Sequence, residues 1–475
     1  MQTTPSLWLV ILATALPLGP KASALPSWPL PAPADSIPES LVRAAYATTS
    51  TKPCFLVTDY GAVGDGRRDN TRSIQAAIED CSVKGGGMVV VPQGIFISGS
   101  LFFRPRTSLR VEKGAVLKAT SDPAGFPARP MRVTGFVIPW RAAFINADQV
   151  DDFELSGEGT IDGSGLGWWE AYWTEAKRTP DDYKLTREGG EERPKGAARP
   201  AAPQDPQLRV PRPTLVNIQD SRRILVRDVL LKDAGYWNLL VYRCDGAIVR
   251  QIRVRAPHEP VHAASSDGID IDCSRNVLIE GCDIINGDDA ICMKSGRTVN
   301  GVREATPTER VLIRNCRVGY SLGMVTMGSE TGGGIRDIRV ENMEAYGGCR
   351  RVIRFKTHPN RGGIVENIVF DGIRATDVGN VFDFDHNAYS TMWMPPELEP
   401  KNTPTTGRSI VRNIVVRNVK AERAQSAGLI TGTAEIPIEN LSIENVSIAA
   451  KSGVKIEHTV NLKCLNFTVN GVGNE

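Results

Sequence analysis

The sequence carries almost no net charge. Its 56 Lys and Arg stand against 54 Asp and Glu, a formal +2 at pH 7, so nothing points to general binding of nucleic acid or of a membrane surface. Aromatic residues are scarce at 6%, and there are five histidines. The nine cysteines include no Cys-x-x-Cys pair. That excludes a zinc module of the usual spacing, and the cysteines are too few for a disulfide scaffold. Beyond Leu18 no apolar run approaches the length of a membrane span. Gly (45) and Pro (31) are plentiful but lack the period of collagen, so they mark turns. What is present, 41% apolar and 23% charged residues, describes an ordered globular chain. Its 475 residues exceed one ordinary compact core and suggest two to four domains.

An apolar run from Leu7 to Leu18 is too short to span a bilayer comfortably and ends near Ala22-Ser23-Ala24, a small-x-small cleavage pattern. No Lys or Arg precedes it, although secretory signals usually open on a basic stretch. A short N-terminal anchor is the alternative. The expectation is a signal peptide over residues 1–24, a Pro-rich linker over 25–53 and one folded unit over 54–475. Such a chain is secreted or periplasmic. Oxidising conditions there allow Cys54 to pair with Cys81, and the odd total leaves a thiol over.

Gly61, Gly64 and Gly66 mark tight turns. Asp69 or Asn70 can cap a helix in which Ile74, Ala77, Ile78 and Cys81 share one face, and Gly85-Gly86-Gly87 ends it. Met88 to Val91 then reads as a short strand. From there helical spacing almost vanishes, and short β-branched runs alternate with turn residues. One pattern recurs: Ile224-Leu225-Val226-Arg227-Asp228-Val229, Val277-Leu278-Ile279-Glu280-Gly281-Cys282 and Val311-Leu312-Ile313-Arg314-Asn315-Cys316. Asn342, Gly372, Asn418 and Asn445 later take the Gly281 place, at successive spacings of 34, 27, 30, 46 and 27 residues from Gly281. Irregular periods of this size, made of strands alone, indicate an all-β solenoid. The expected fold is a right-handed parallel β-helix whose N-terminal helix covers the open edge of the first coil. A two-sheet sandwich would need seven matching segments to share a register by chance. Val, Ile and Cys should form ladders inside, Cys282 and Cys316 among them. Asn at the corners accepts the left-handed backbone that turning demands.

Asp267, in Ser265-Ser266-Asp267-Gly268, lies 21 residues before Asp288 of Gly287-Asp288-Asp289. That is close to one coil, so the carboxylates should share a surface. Like charges side by side make each other harder to ionise. They suit a reaction in which one carboxyl stays protonated while another is ionised. Hydrolysis of a glycosidic bond is such a reaction, with an acid for the leaving oxygen and a base for water. A calcium site or a solvated acidic turn competes with it on the residues alone.

At these residues the sequence resembles glycoside hydrolase family 28, the polygalacturonase family. The family's Asn-Thr-Asp-Gly corresponds to Ser265-Ser266-Asp267-Gly268, its Gly-Asp-Asp to Gly287-Asp288-Asp289, and its Arg-x-Lys to Arg354-Phe355-Lys356. The opening Asp59-Tyr60-Gly61-Ala62-Val63-Gly64-Asp65-Gly66 resembles the cap of the wider pectin-degrading β-helix group. The resemblance implies cleavage with inversion, Asp289 serving as general acid while Asp267 and Asp288 position and deprotonate water. In such enzymes the acid and base stand about 6.5 to 9.5 Å apart. It also implies that Arg354 and Lys356 grip the carboxylate of a galacturonate residue. No cofactor and no metal are implied. The expected partner is an acidic plant cell-wall polysaccharide or oligosaccharide, not a nucleic acid, and the motifs leave the oligomeric state open.

Two departures stand out. Ser265 replaces the family's Asn, and Ser321-Leu322-Gly323-Met324 runs where the family has Gly-His-Gly. The five histidines are His258, His262, His358, His386 and His458. Rhamnogalacturonan hydrolysis within the same family, a pectate lyase and a non-catalytic carbohydrate-binding β-helix therefore stay as alternatives. Insertions near 168–213 and 387–407 carry Trp168, Trp169 and Trp173, and Tyr389, Trp393 and Met394. As cleft walls they would favour exo action; alternatively their rings simply pack the loops down.

Overall fold

The computed structural model describes residues 52–176, 209–304, 306–359, 361–386 and 408–474. The expected signal peptide, nearly all of the linker and most of both insertions, including Tyr389, Trp393 and Met394, lie outside them. The short β-branched runs form parallel strands stacked coil on coil, so the fold is a parallel β-helix. Three stacks make its sides. The repeating pattern is the inner register of one of them: Val226 pairs with Val249, then Ile279, Ile313, Val340, Phe370, Val416 and Ile443 follow in line. Every one of these side chains is buried. A single hydrophobic core runs from Phe55 to Val469, because each coil can cover its inner face only with the next coil.

The corner residues behave as their chemistry requires. Gly281, Asn315, Asn342, Gly372, Asn418 and Asn445 all have positive φ, between 51° and 75°. Glycine and, through their short polar side chains, asparagine and aspartate take that conformation at little cost. Cys282 and Cys316 are buried in the core, and the Cys316 thiol accepts from the Cys282 amide at 3.4 Å.

The N-terminal helix, α1 (Thr71–Val83), buries Ile74, Ala77, Ile78 and Cys81, and these join the main core. Its first turn is held by Asp69, whose Oδ1 accepts from the Thr71 amide at 2.7 Å. The pairing of Cys54 with Cys81 that oxidising conditions would allow does not form, and all nine cysteines are free. Cys54 sits exposed on the edge strand Cys54–Leu56, whereas Cys81 points from α1 into the core.

Two additions flank the coils. A second helix, α2 (Leu166–Glu175), buries Trp168, Trp169 and Trp173. Their indoles are packing groups: Trp169 Nε1 donates to Ala234 O at 3.0 Å and Trp173 Nε1 to His262 O at 2.8 Å. An antiparallel hairpin of Ala128–Val133 and Phe136–Arg141 leans on the coils through a second apolar cluster with Tyr236, Trp237 and Tyr242. Its Arg132 is fully buried and bidentate on Asp272, at 2.7 and 3.2 Å.

Candidate active site

One stack contains the strands Ile269–Asp272, Asp289–Lys294, Gly323–Gly328, Arg351–Lys356 and Asn380–Asp385, each paired in parallel with the next. Alternation along a strand sends Ile269, Ile291, Val325, Ile353 and Phe382 inward in one ladder. The neighbouring ladder, Asp270, Cys292, Thr326, Arg354 and Asp383, therefore faces the other way. All five are nevertheless buried. This outer face is a covered floor, which is why its charges interact strongly.

Asp267 lies in the turn that enters the first of these strands, and Asp288 and Asp289 lie where the chain enters the second. Buried amides fix both turns. Asn286 Nδ2 donates to Ser266 O at 2.8 Å and to Asp289 O at 2.9 Å, while Asn238 Nδ2 donates to Ser266 O and Asp267 O, each at 3.1 Å. Gly287 is needed for the close approach of these coils, since a β-carbon there would stand 2.2 Å from Ala263 O. The coil spacing read from the sequence thus brings Asp267, Asp288 and Asp289 together, and Arg354 and Lys356 reach the same place from later coils.

Asp289 is fully buried. Arg354 Nη1 donates to its Oδ1 at 2.8 Å, and Lys356 Nζ donates to its Oδ2. Burial alone would raise the Asp289 carboxyl, but the Lys356 and Arg354 charges prevail and hold it well below the usual carboxylate range. Asp289, expected as the proton donor, is thus paired with two cations in this structure. Arg354 and Lys356, expected to face a sugar, are turned onto Asp289, and Arg354 Nε also donates to Asp383 Oδ2 at 3.0 Å.

Asp267 behaves oppositely. Burial pushes it up to about 7, opposed by Lys294 and assisted by Asp288 and Asp289. Its Oδ2 accepts from Lys294 Nζ at 3.0 Å. An oxygen of Asp267 and one of Asp289 lie within 4.8 Å of each other. Asp288 is the most open of the three, and its Oδ1 accepts from the Asp289 amide at 3.1 Å. Asp267, Asp289 and Cys292 have the spacing of a metal site. Lys294, Arg354 and Lys356 already hold Asp267 Oδ2 and both oxygens of Asp289, however, so an incoming cation would have to compete with them.

The place of the family's Gly-His-Gly has its own logic. Gly323 pairs with Asp289, and a β-carbon on it would come within 2.6 Å of Asp289 Oδ1. The carboxylate fills the room that a side chain would need. Sequence reasoning missed Lys294, Asp270, Glu330 and Asp383. The signal existed for two of them: Ile269-Asp270-Ile271-Asp272 and Phe382-Asp383-Phe384-Asp385 alternate acid with apolar residues, the period of a strand with a charged outer face.

Residues 202–471 match the family model described as glycosyl hydrolases family 28, and residues 54–110 match that of rhamnogalacturonase A/epimerase, pectate lyase-like. The chain is similar to a probable polygalacturonase of Vitis vinifera, 29% identical over 409 residues, covering 83% of this chain and 74% of that protein. It is also similar to an exo-poly-alpha-D-galacturonosidase of Dickeya chrysanthemi, 26% identical over 344 residues, 68% of this chain and 55% of that one. Among solved structures, an exopolygalacturonase from Thermotoga maritima superposes with a TM-score of 0.72 at 26% identity, over 92% of this chain and 97% of that chain. The family match covers more than half of the sequence and contains every charged residue of the site just described, so the chain belongs to glycosyl hydrolase family 28.

Proposed function

We propose that the chain is an exported, inverting exo-hydrolase of galacturonate-containing pectin, in which Asp288 is the proton donor and Asp267 and Asp289 act on the attacking water. The observation that carries this reading is the split among three adjacent carboxyls. Asp289 is held as an anion by Arg354 and Lys356, Asp267 lies within 4.8 Å of it, and Asp288 alone is partly open. Two carboxylates that close can share one water but leave no room for water between acid and base, which inversion requires. The third carboxyl is then the acid.

Water attacks the anomeric carbon and loses its proton to the Asp267–Asp289 pair. The bond to the leaving oxygen breaks, and that oxygen takes the Asp288 proton. Arg354 and Lys356 supply the charge that an acidic sugar needs. A uronate carboxylate competing for them would loosen their hold on Asp289 and make it a better base once substrate is bound. Similarity to the Dickeya chrysanthemi and Thermotoga maritima proteins supports attack from a chain end. The apolar run Leu7–Leu18 supports export, and no helix among the described residues is long and apolar enough to cross a membrane.

The acid assignment is tested by giving Asp288→Asn and Asp289→Asn two substrates, a galacturonate oligomer and an aryl galacturonide with a good leaving group. Both variants should lose about 10²- to 10⁴-fold on the oligomer. Only Asp288→Asn should recover on the aryl substrate, where the departing oxygen needs no proton. Recovery by Asp289→Asn instead would reverse the two roles.

A further inference from the structure

Lys294 ends the strand Asp289–Lys294 and is 3% exposed. Its Nζ stands 3.0 Å from Asp267 Oδ2, 3.4 Å from Asp270 Oδ1 and 3.9 Å from Glu330 Oε2. The face of Trp237 lies over it, with the ammonium 4.6 Å from the ring centroid, and Tyr236 stacks on that ring. Burying an ammonium is costly unless it is tightly paired. The hydrophobic core lies on the other side of the strand, with Ile291 and Met293.

We propose that Lys294 is a positioning residue for hydrolysis: its ammonium fixes Asp267 Oδ2, keeps that carboxyl ionised beside Asp289, and leaves Oδ1 to the attacking water. The inference rests on the hydrolase reading above. Every charged or titratable neighbour enters this balance. Asp267 and Asp270 face Lys294 from the preceding coil, where Asp272 is taken up by Arg132 of the hairpin. Asp288, Asp289 and Cys292 stand on its own coil, Tyr236 on an earlier one, and Lys356 on a later one. Glu330 follows the strand Gly323–Gly328 and is itself surrounded by Arg297, Lys356 and Arg361. Asp270 is driven well above the usual carboxylate range by burial, over the opposing Lys294. Of the three carboxyls around Lys294 Nζ, Asp267 stands nearest, at 3.0 Å.

The test compares Lys294→Met and Lys294→Arg with the parent enzyme, following kcat and KM for a galacturonate oligomer from pH 4 to 9. Lys294→Met should lose about 10- to 100-fold in kcat with little change in KM, and the acid limb of kcat/KM should move up by about one pH unit or more. Lys294→Arg, which keeps the charge, should hold the limb in place. A Lys294→Met enzyme that folds, judged by its thermal transition, and keeps the parental limb overturns the proposal, even if its kcat is lower. The carboxyl resonances of ¹³C-labelled aspartate give a readout independent of turnover. In Lys294→Met the Asp267 resonance, assigned by its loss in Asp267→Asn, should move to higher pH, and an unmoved titration also overturns the proposal. If the parent enzyme cleaves no galacturonan, the hydrolase reading fails while this titration still decides the role of Lys294. Should Lys294→Met not fold, a Lys294→Arg enzyme with a shifted limb counts against the charge-holding role.

Discussion

At the residue scale, the site works by giving neighbouring carboxyls different environments. Asp289 and Asp267 lie within 4.8 Å, yet two cations hold one as an anion while burial lifts the other to about 7. Because Asp267 must be ionised to act on water, kcat/KM should fall as the pH drops through about 7. The stability sign is the reverse. Asp267 titrates higher in the fold than unfolded, so its contribution is complete below about 4, the unfolded value, and is lost as pH rises through about 7. Asp267→Asn should therefore gain stability relative to the parent at pH 8 compared with pH 5, measured by urea midpoints. An equal difference at both pH values would show that Asp267 is not perturbed. Residue identity alone could not assign these roles. The motif named the three Asp, but which of them keeps a proton depends on Arg354, Lys356 and Lys294, residues that reach the site from other positions on the coils.

At the element scale, strand and corner were legible because each obeys a local rule. Val226, Ile279 and Ile313 fall on one inner ladder, and Asn315, Asn342 and Asn445 turn with positive φ, as their places in the repeat require. The corners also bond to each other across coils. Asn367 donates to Asp337, Asn413 to Asn367, Asn440 to Asn413 and Asn461 to Asn440, at 2.9 to 3.2 Å. Asn413 sits mid-ladder with φ 59°. Asn413→Ala should cost about 2 to 3 kcal/mol, from two hydrogen bonds and a left-handed backbone. Asn413→Gly should recover the backbone share. Equal urea midpoints for the two variants would remove the backbone argument. The hairpin around Thr134-Gly135 was not read from the sequence, although that dipeptide carries positive φ at both residues, 43° and 89°, the conformation of a tight hairpin turn. Its consequence, burial of Arg132 against Asp272 140 residues away, has no local signature. Trp168, Trp169 and Trp173 gave the opposite lesson, since an aromatic cluster beside an insertion looks the same whether it meets sugar or packs a helix down.

At the scale of the whole molecule, stacking explains how the described residues from Phe55 to Val469 avoid the size limit of a compact core: a solenoid extends its core by adding coils. The near-zero net charge hides a buried, strongly charged strip along one side, where Asp267, Asp288 and Asp289 meet Lys294, Arg354 and Lys356. Such a strip suits the cleavage of an acidic polymer, and identifying the products settles whether that is its use. Purified protein incubated with homogalacturonan, with rhamnogalacturonan fragments in parallel, should release saturated galacturonate monomer as its first product, identified by mass. A product lighter by one water that absorbs in the ultraviolet, or release from rhamnogalacturonan alone, would contradict galacturonan hydrolysis.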